Sequence, residues 1–335
     1  MRSLSHASRR ALLTLGGLVL LVNAACGSDL TPFKEIDRLR ILSISSDPPW
    51  LTRTSTVGSI PEAELTALVV NAPGTSTVTA RYEWSWCPLR AAGTTDGAYQ
   101  CVFSELAAGM GMEIPEELFD LGTEPTANLQ YLLPPEQVRE ICEQLAMAEL
   151  PAFVSVPQCT DGFPVSVQLI VRQGTEQSVA LKNVVLAFEA DKVNSNPHIT
   201  GLQAIDSANP ATPIDVAADG STTLKRGVTY LLTADVDRAD SEAYTYVPTD
   251  TKVPETRHEN LVITWFIEGG SSDATRTGYL PQEDDSDVAW TRARTLEWTT
   301  PKTVDFERDT ARLYLVIRDG RQGQSFITRT VKLEE

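Results

Sequence analysis

The sequence predicts an all-β protein of two antiparallel β-sandwich domains, the first carrying a helical, disulfide-bonded insertion. Three observations carry that expectation. Apolar residues recur at alternate positions through several stretches, the period of a half-buried strand. One segment of the first half breaks this texture with helical spacing between prolines. A strand–turn–strand pattern in the first half also recurs in the second. Of the 335 residues 42% are apolar, enough to fill ordinary cores, and the length suits about two domains.

The N-terminus is read first. Arg2, Arg9 and Arg10 precede the apolar run Ala11 to Val22, which is shorter than the roughly 20 residues of a membrane-spanning helix. Small residues follow. This is the layout of a secretory signal peptide. Ala24-Ala25-Cys26 resembles the bacterial lipobox, although Asn23 stands where that pattern has an apolar residue. The resemblance implies lipidation of Cys26 and attachment to a membrane through acyl chains. Ser8-Arg9-Arg10 is similar to a twin-arginine export signal. The rival readings are a plain signal cut near Cys26 and an uncleaved anchor. The expected layout is therefore a signal peptide over 1–25 and a tether over 26–37. A first domain over 38–193 and a second over 194–335 follow. The protein is expected to be exported and held at a membrane, the outer membrane of the envelope, on its periplasmic or surface side.

The first domain's strands follow in order. Leu39 to Ser45 alternates and stops at Asp47-Pro48-Pro49. Glu64 to Val70 ends at Asn71-Ala72-Pro73-Gly74. Thr79 to Trp86 places Tyr82, Trp84 and Trp86 on one face. Pro164 to Arg172 places Val165, Val167, Leu169 and Val171 together, and Ser178 to Phe188 returns after a Gln173–Glu176 turn. Between them, over about 88–160, Pro134-Pro135-Glu136 opens a helix. Val138, Ile141, Cys142 and Leu145 give it one apolar face. Ile114 to Leu121 reads as a shorter helical turn ending at Gly122. Cys87, Cys101, Cys142 and Cys159 form an even set once Cys26 is lipidated, and they allow three pairings. Proximity favours Cys87–Cys101 and Cys142–Cys159. A zinc site is the rival, without CxxC pairs or nearby histidines to support it.

In the second domain the expected strands are His198 to Ala204, Gly227 to Val236, Asn260 to Ile267, Ala293 to Trp298, Ala311 to Arg318 and Ser325 to Leu333. The two domains look like divergent copies. Leu169–Gly174 matches Leu315–Gly320, and each follows a tryptophan-bearing strand, Tyr82–Trp86 in one and Val262–Phe266 in the other. A central-strand tryptophan packed across two sheets resembles the immunoglobulin-like arrangement, broadly the Ig-like or PKD-like modules of bacterial surfaces. The Asp-Pro-Pro stop, Trp84-Ser85-Trp86-Cys87-Pro88 and the turn Arg318–Gly323 resemble a group of uncharacterised lipoproteins from Gram-negative bacteria. That resemblance implies fold and location and carries no activity.

Charge limits the partners. The chain has 45 acidic and 28 basic residues, and losing Arg2, Arg9 and Arg10 takes the net charge from −17 to −20. A nucleic-acid binder would need a basic face, so no nucleic-acid partner is expected. No nucleophile elbow, P-loop or dinucleotide loop occurs, and His258-Glu259 lacks the second histidine of a zincin, so no enzyme and no cofactor are expected. Asp235, Asp237 and Asp240 and, separately, Asp284, Asp285 and Asp287 are weak calcium candidates beside the plainer reading of solvated turns. Trp84, Trp86 and Trp265 read as core, whereas Trp50 and Trp290 stand outside the clear strands as candidates for exposed contact. The expected role is a non-enzymatic binding or structural module of the envelope, with a protein or glycan partner. The alternative is a glycan- or calcium-binding surface protein, and the remotest is an enzyme with an unrecognised carboxylate site.

Overall fold

A computed structural model describes residues 36–335 except 54–59, 73–78, 91–100, 105–107, 109–114, 149–153, 155–158, 192 and 249–250. The expected signal peptide, Cys26 and almost all of the tether lie outside the described residues. Among the described residues no helix is long and apolar enough to cross a membrane.

The first half contains β1 (Arg40–Asp47), β2 (Trp50–Leu51), β3 (Glu62–Val70) and β4 (Arg81–Cys87). A 3-10 turn (Glu116–Phe119) then leads into β5 (Asp120–Gly122) and β6 (Thr126–Gln130). Helix α1 (Pro135–Met147) and the long hairpin β7 (Gly162–Gln173) and β8 (Glu176–Ala187) complete it. Two sheets result, β1-β3-β6 and β2-β8-β7-β4-β5. Ile44, Leu65 and Leu129 of the first share one core with Trp84, Val165, Val167, Leu169, Val171 and Val184 of the second. The valine-rich face of β7 is fully buried, as its alternation requires. Each such side chain contributes roughly 1.5–3 kcal/mol of burial free energy.

Helix α1 starts as its sequence dictates, with Pro134 as N-cap, Pro135 at the first helical position and Glu136 in the first turn. Its Val138 and Cys142 are buried in the first core, and Ile141 and Leu145 are half-buried. Cys142 is bonded to Cys159 and Cys87 to Cys101, with Cα–Cα distances of 5.8 and 5.7 Å. Both expected pairs are therefore present.

The stretch read as a helical insertion differs from that expectation. It contributes β5 to one sheet and β6 to the other. The expected helical turn near Ile114–Leu121 is a 3-10 turn over Glu116–Phe119, running directly into β5. Ala127 and Leu129 alternate with exposed Thr126, Asn128 and Gln130. This is a strand period, but it spans only five residues between Pro125 and Pro134, too short to stand out.

In β1 the pairing register shifts between Ile41 and Ser43. The extra residue of this bulge is Leu42. Strict alternation would put Leu42 and Ile44 on one face. Instead Ile41 and Ile44 both reach the first core, while Leu42 points away from it. Bulges re-aim side chains in this way.

The second half holds β9 (Ile199–Asp206), β10 (Ile214–Asp215), β11 (Thr223–Lys225), β12 (Thr229–Val236), β13 (Ala243–Tyr246) and β14 (Glu255–His258). It continues with β15 (Leu261–Ile267), β16 (Ser271–Ser272), β17 (Arg276–Tyr279), helix α2 (Asp287–Ala293), β18 (Thr295–Thr299), β19 (Thr310–Arg318) and β20 (Gln324–Glu334). Its sheets are β10-β9-β12-β18-β16 and β11-β20-β19-β15-β17, with β13-β14 as a separate hairpin. Leu202, Leu232, Leu296 and Trp298 of one sheet meet Ile263, Trp265, Leu313, Leu315 and Ile317 of the other in a second core. The strand expected from Ala293 begins at Thr295, because residues 287–293 form α2, where Ser286 Oγ accepts the N–H of Ala289 at 3.1 Å.

A third apolar cluster joins the halves. Leu42, Leu68 and Val70 lie against Phe266, Tyr314 and Val316, and Ile36 belongs to the same seam. The second half of β3 therefore has apolar residues on both faces. Leu65 points into the first core, and Leu68 and Val70 point at the second half.

Candidate functional site at the junction of the halves

The turn Arg318-Asp319-Gly320-Arg321-Gln322-Gly323 joins β19 to β20 and lies beside this seam. Asp319 organises it. Its Oδ1 accepts the N–H groups of Arg321 and Gly323, each at 2.7 Å, and its own N–H donates to Gly323 O at 3.0 Å. Aspartate favours such turns because its carboxylate reaches the backbone two residues on. Gly323 is required sterically, since a Cβ there would lie 2.7 Å from Ser195 O.

The turn projects Arg321 into the junction. Its guanidinium lies 4.5 Å from the ring centre of Trp50, in β2, and 5.0 Å from that of Tyr244, in β13. It donates to Glu259 Oε1 at 3.0 Å, Asn194 Oδ1 at 3.2 Å and Val193 O at 3.3 Å. Its backbone carbonyl accepts Trp50 Nε1 at 2.7 Å. Asn194 Nδ2 closes the ring by donating to Asp319 Oδ2 at 3.0 Å.

The connecting segment is pinned from both sides. Asn196 Nδ2 donates to Ser46 O at 2.8 Å, and Asn196 Oδ1 accepts Gln324 N–H at 2.9 Å. Ser45 Oγ donates to Gln324 O at 2.6 Å, and Arg318 reaches Leu42 O at 3.2 Å. Both asparagines are buried, so each bond replaces water that the site excludes.

Burial dominates the electrostatics here. Glu259 is pushed up to about 8 by desolvation, reinforced by Asp319 and opposed by Arg321. Lys182 of β8 is pulled down to about 8 by burial, against the attraction of Asp319. Burial also raises Asp319 and lowers Arg318.

A cleft of about 290 Å³ opens here, lined by Arg90, Lys182, Asn183, Arg318, Asp319 and Gln324 among others. Lys182 Nζ donates to Gln322 O. Arg318 donates to Gln324 Oε1 at 3.0 Å, Thr264 Oγ1 at 3.2 Å and Leu42 O. None of these acceptors is a carboxylate.

The other expected site residues lie elsewhere. Arg238 joins the two acidic clusters through its guanidinium, which binds Asp287 Oδ1 at 2.9 Å and Asp285 Oδ1 at 2.5 Å, beside the Tyr279 hydroxyl at 3.0 Å. Asp237 caps the 3-10 turn Arg238–Asp240, Asp240 accepts the N–H of His198, and Asp284 accepts that of Ser286. Asp285 and Asp287 are thus both partnered by one arginine. Asp235 packs beside Gly201 instead. Among the described residues no group of three His, Cys, Asp or Glu side chains is placed to hold a metal.

Trp50 and Trp290 do not fit the exposed-contact expectation. Trp50 is 8% exposed and hydrogen-bonded, and half-buried Trp290 packs edge-on against Tyr279 at 5.0 Å beside the second core. Of the residues that build the junction, Trp50 carries an expectation of exposed contact that its burial overturns, and Asn194 marks only a domain boundary in the sequence. In the sequence the turn Arg318–Gly323 signals a repeat and a family resemblance, and neither points to a junction site.

No family model and no curated protein matches the chain. Among solved structures, alpha-2-macroglobulin of E. coli is 7% identical, with 88% of this chain and 17% of that one covered and a TM-score of 0.23. The Ig1-2 module of the Drosophila receptor tyrosine phosphatase DLAR is 10% identical over 89% of this chain and all of that one, with a TM-score of 0.22. The adhesin InvE of Yersinia pseudotuberculosis is 10% identical over 86% and 58%, with a TM-score of 0.16. The chain spans about a sixth of the macroglobulin. At these TM-scores the superpositions establish no shared fold.

Proposed function

We propose that this chain is an exported lipoprotein, anchored at the outer membrane through Cys26, whose two Ig-like β-sandwich domains form a non-enzymatic binding module held in one fixed geometry. The observation that carries this reading is the junction. Arg321 is clasped by Trp50, Tyr244, Glu259 and Asn194. A flexible tandem array would have no use for so many buried polar contacts between its halves. Two disulfides support the exported location, because such bonds persist in oxidising compartments. The paired cores, with Trp84 in a central strand of one and Trp265 in a central strand of the other, support the tandem Ig-like description.

The test is fractionation of cells expressing the full chain and its Cys26→Ala variant. The wild type is expected in the membrane pellet after a salt wash, and the variant in the soluble fraction. Continued membrane association of the variant would overturn the anchor. Small-angle scattering on the detergent-solubilised wild type tests the fixed geometry. A single narrow distribution of dimensions is expected, and a broad one would overturn it.

A further inference from the structure

We propose that the junction cleft is a binding site for a small oxyanion, a carboxylate or phosphate group, received by Lys182 and Arg318.

Arg172 and Arg318 occupy matching places, each at the end of the first strand of its hairpin. Arg172 Nε donates to Gln177 Oε1 across the hairpin at 3.0 Å, and Arg318 Nε donates to Gln324 Oε1 at the same distance. Both glutamines are the register partners of their arginines. On the neighbouring strand the matching residues precede the central tryptophans, Glu83 before Trp84 and Thr264 before Trp265. Arg172 forms an ion pair with Glu83. Arg318 finds only the Thr264 hydroxyl. The second copy therefore holds the arginine in the same geometry without its carboxylate.

Unspent donors point the same way. An ammonium has three N–H donors and a guanidinium five. Lys182 spends one on Gln322 O, and Arg318 spends three on Gln324, Thr264 and Leu42. Asn183 and Gln324 accept through Oδ1 and Oε1, and among the described residues their side-chain amide nitrogens have no hydrogen-bond acceptor. Lys182 is buried, its one hydrogen bond goes to a neutral carbonyl, and the attraction of Asp319 offsets only part of the cost of burying the cation. An oxyanion would relieve that cost through charge-assisted bonds. Asp319 also lines the cleft, but its oxygens are taken by Arg321, Gly323 and Asn194. Arg90 also lines the wall. The volume of about 290 Å³ admits a phosphate or a single acidic sugar.

The test uses the full chain in non-ionic detergent, with sodium phosphate and sodium glucuronate as probes and sodium chloride at matched ionic strength as reference. A probe that binds only the folded form raises the melting temperature, here by about 2 °C or more at about 10 mM. A rise with phosphate alone identifies a phosphate group as the ligand chemistry, and a rise with glucuronate alone a carboxylate. Either supports the site. The rise is expected to vanish in Lys182→Met and in Thr264→Glu, the latter restoring the acid that the first copy has. An undiminished rise in a folded Lys182→Met variant would overturn the proposal. Calorimetric titration of the wild type stands apart from the variants' folding, and no binding of either probe at about 10 mM would also overturn it.

Discussion

Arg172 and Arg318 make the same bond to the glutamine opposite, yet they live in different surroundings. Arg172 and Glu83 form a half-exposed pair, with side-chain exposures of 41% and 49%. Pairs of that kind contribute about 0–1 kcal/mol. Arg318 is largely buried at the junction and meets neutral acceptors only. The lesson is that one supersecondary frame can carry two different electrostatic roles. In the first copy charge is spent locally on the surface. In the second it is held within a cleft. The remainder of each half follows the same contrast. The first half closes its sheets with two disulfides and α1, and the second fills a cysteine-free core between two five-stranded sheets.

The sharpest way to break the equivalence of the copies is through their tryptophans. Trp84→Ala and Trp265→Ala should each cost about 3–5 kcal/mol, because both side chains are 1% exposed. Denaturant unfolding reads this, and a loss under about 1 kcal/mol at either site would show that the two positions are not counterparts. Next comes the covalent difference. Replacing Cys142 and Cys159 together by Ala should cost about 3 kcal/mol for their loop of separation 17. Hydrogen exchange should report the loss in β7 and α1 and leave the core around Leu313 protected. Equal deprotection of both halves would show that they unfold as one unit.

Acidity separates the junction from the surface pair. Glu259 keeps its proton in the folded chain up to about 8, whereas an ordinary glutamate loses it near 4.5. The folded form thus binds more protons between these values, so stability falls as pH rises from about 5 to about 8. Burial raises Asp319 and Asp240 as well. Lys182 acts in the opposite sense above that range. Its folded form gives up a proton near 8 and its unfolded form near 10.5, so stability recovers between them. Melting curves across pH should show a minimum near 8. Glu259→Gln should flatten the acidic limb and Lys182→Met the alkaline one, and an unchanged profile in both would remove these groups from the account. The smallest effect is expected at Arg172→Ala, within about 0.5 kcal/mol, because its partner is half exposed. Arg318→Ala should cost about 2 kcal/mol, since it strands three acceptors. A similar cost at both would erase the contrast.

Much of this fold is legible in alternation. The faces of β4 and β7, the helical stripe of α1 and both disulfides follow from spacing over seven or more residues. Elements with too few residues to show a period escape it. β10, β11 and β16 have two or three residues each, and β6 has five between prolines. The bulge at Leu42 is invisible for another reason. Nothing local distinguishes it, and the apolar partners that draw Leu42 outward, Phe266 and Tyr314, lie more than 200 residues away. The junction site is hidden in the same manner. Glu259, Arg321 and Asn194 are ordinary polar residues in sequence, and only the approach of Trp50 and Tyr244 makes them a cluster. Likewise, the aspartates at 284–287 read as free ligands until Arg238 is brought to them from another loop.

Ile36 lies in the seam with Leu42, Leu68, Phe266 and Tyr314, so the chain enters the folded body at its middle rather than at one end. A pull delivered through the preceding residues therefore loads both halves at once. It works as tension on a clasp, with Arg321 as the pin, instead of peeling one domain and sparing the other.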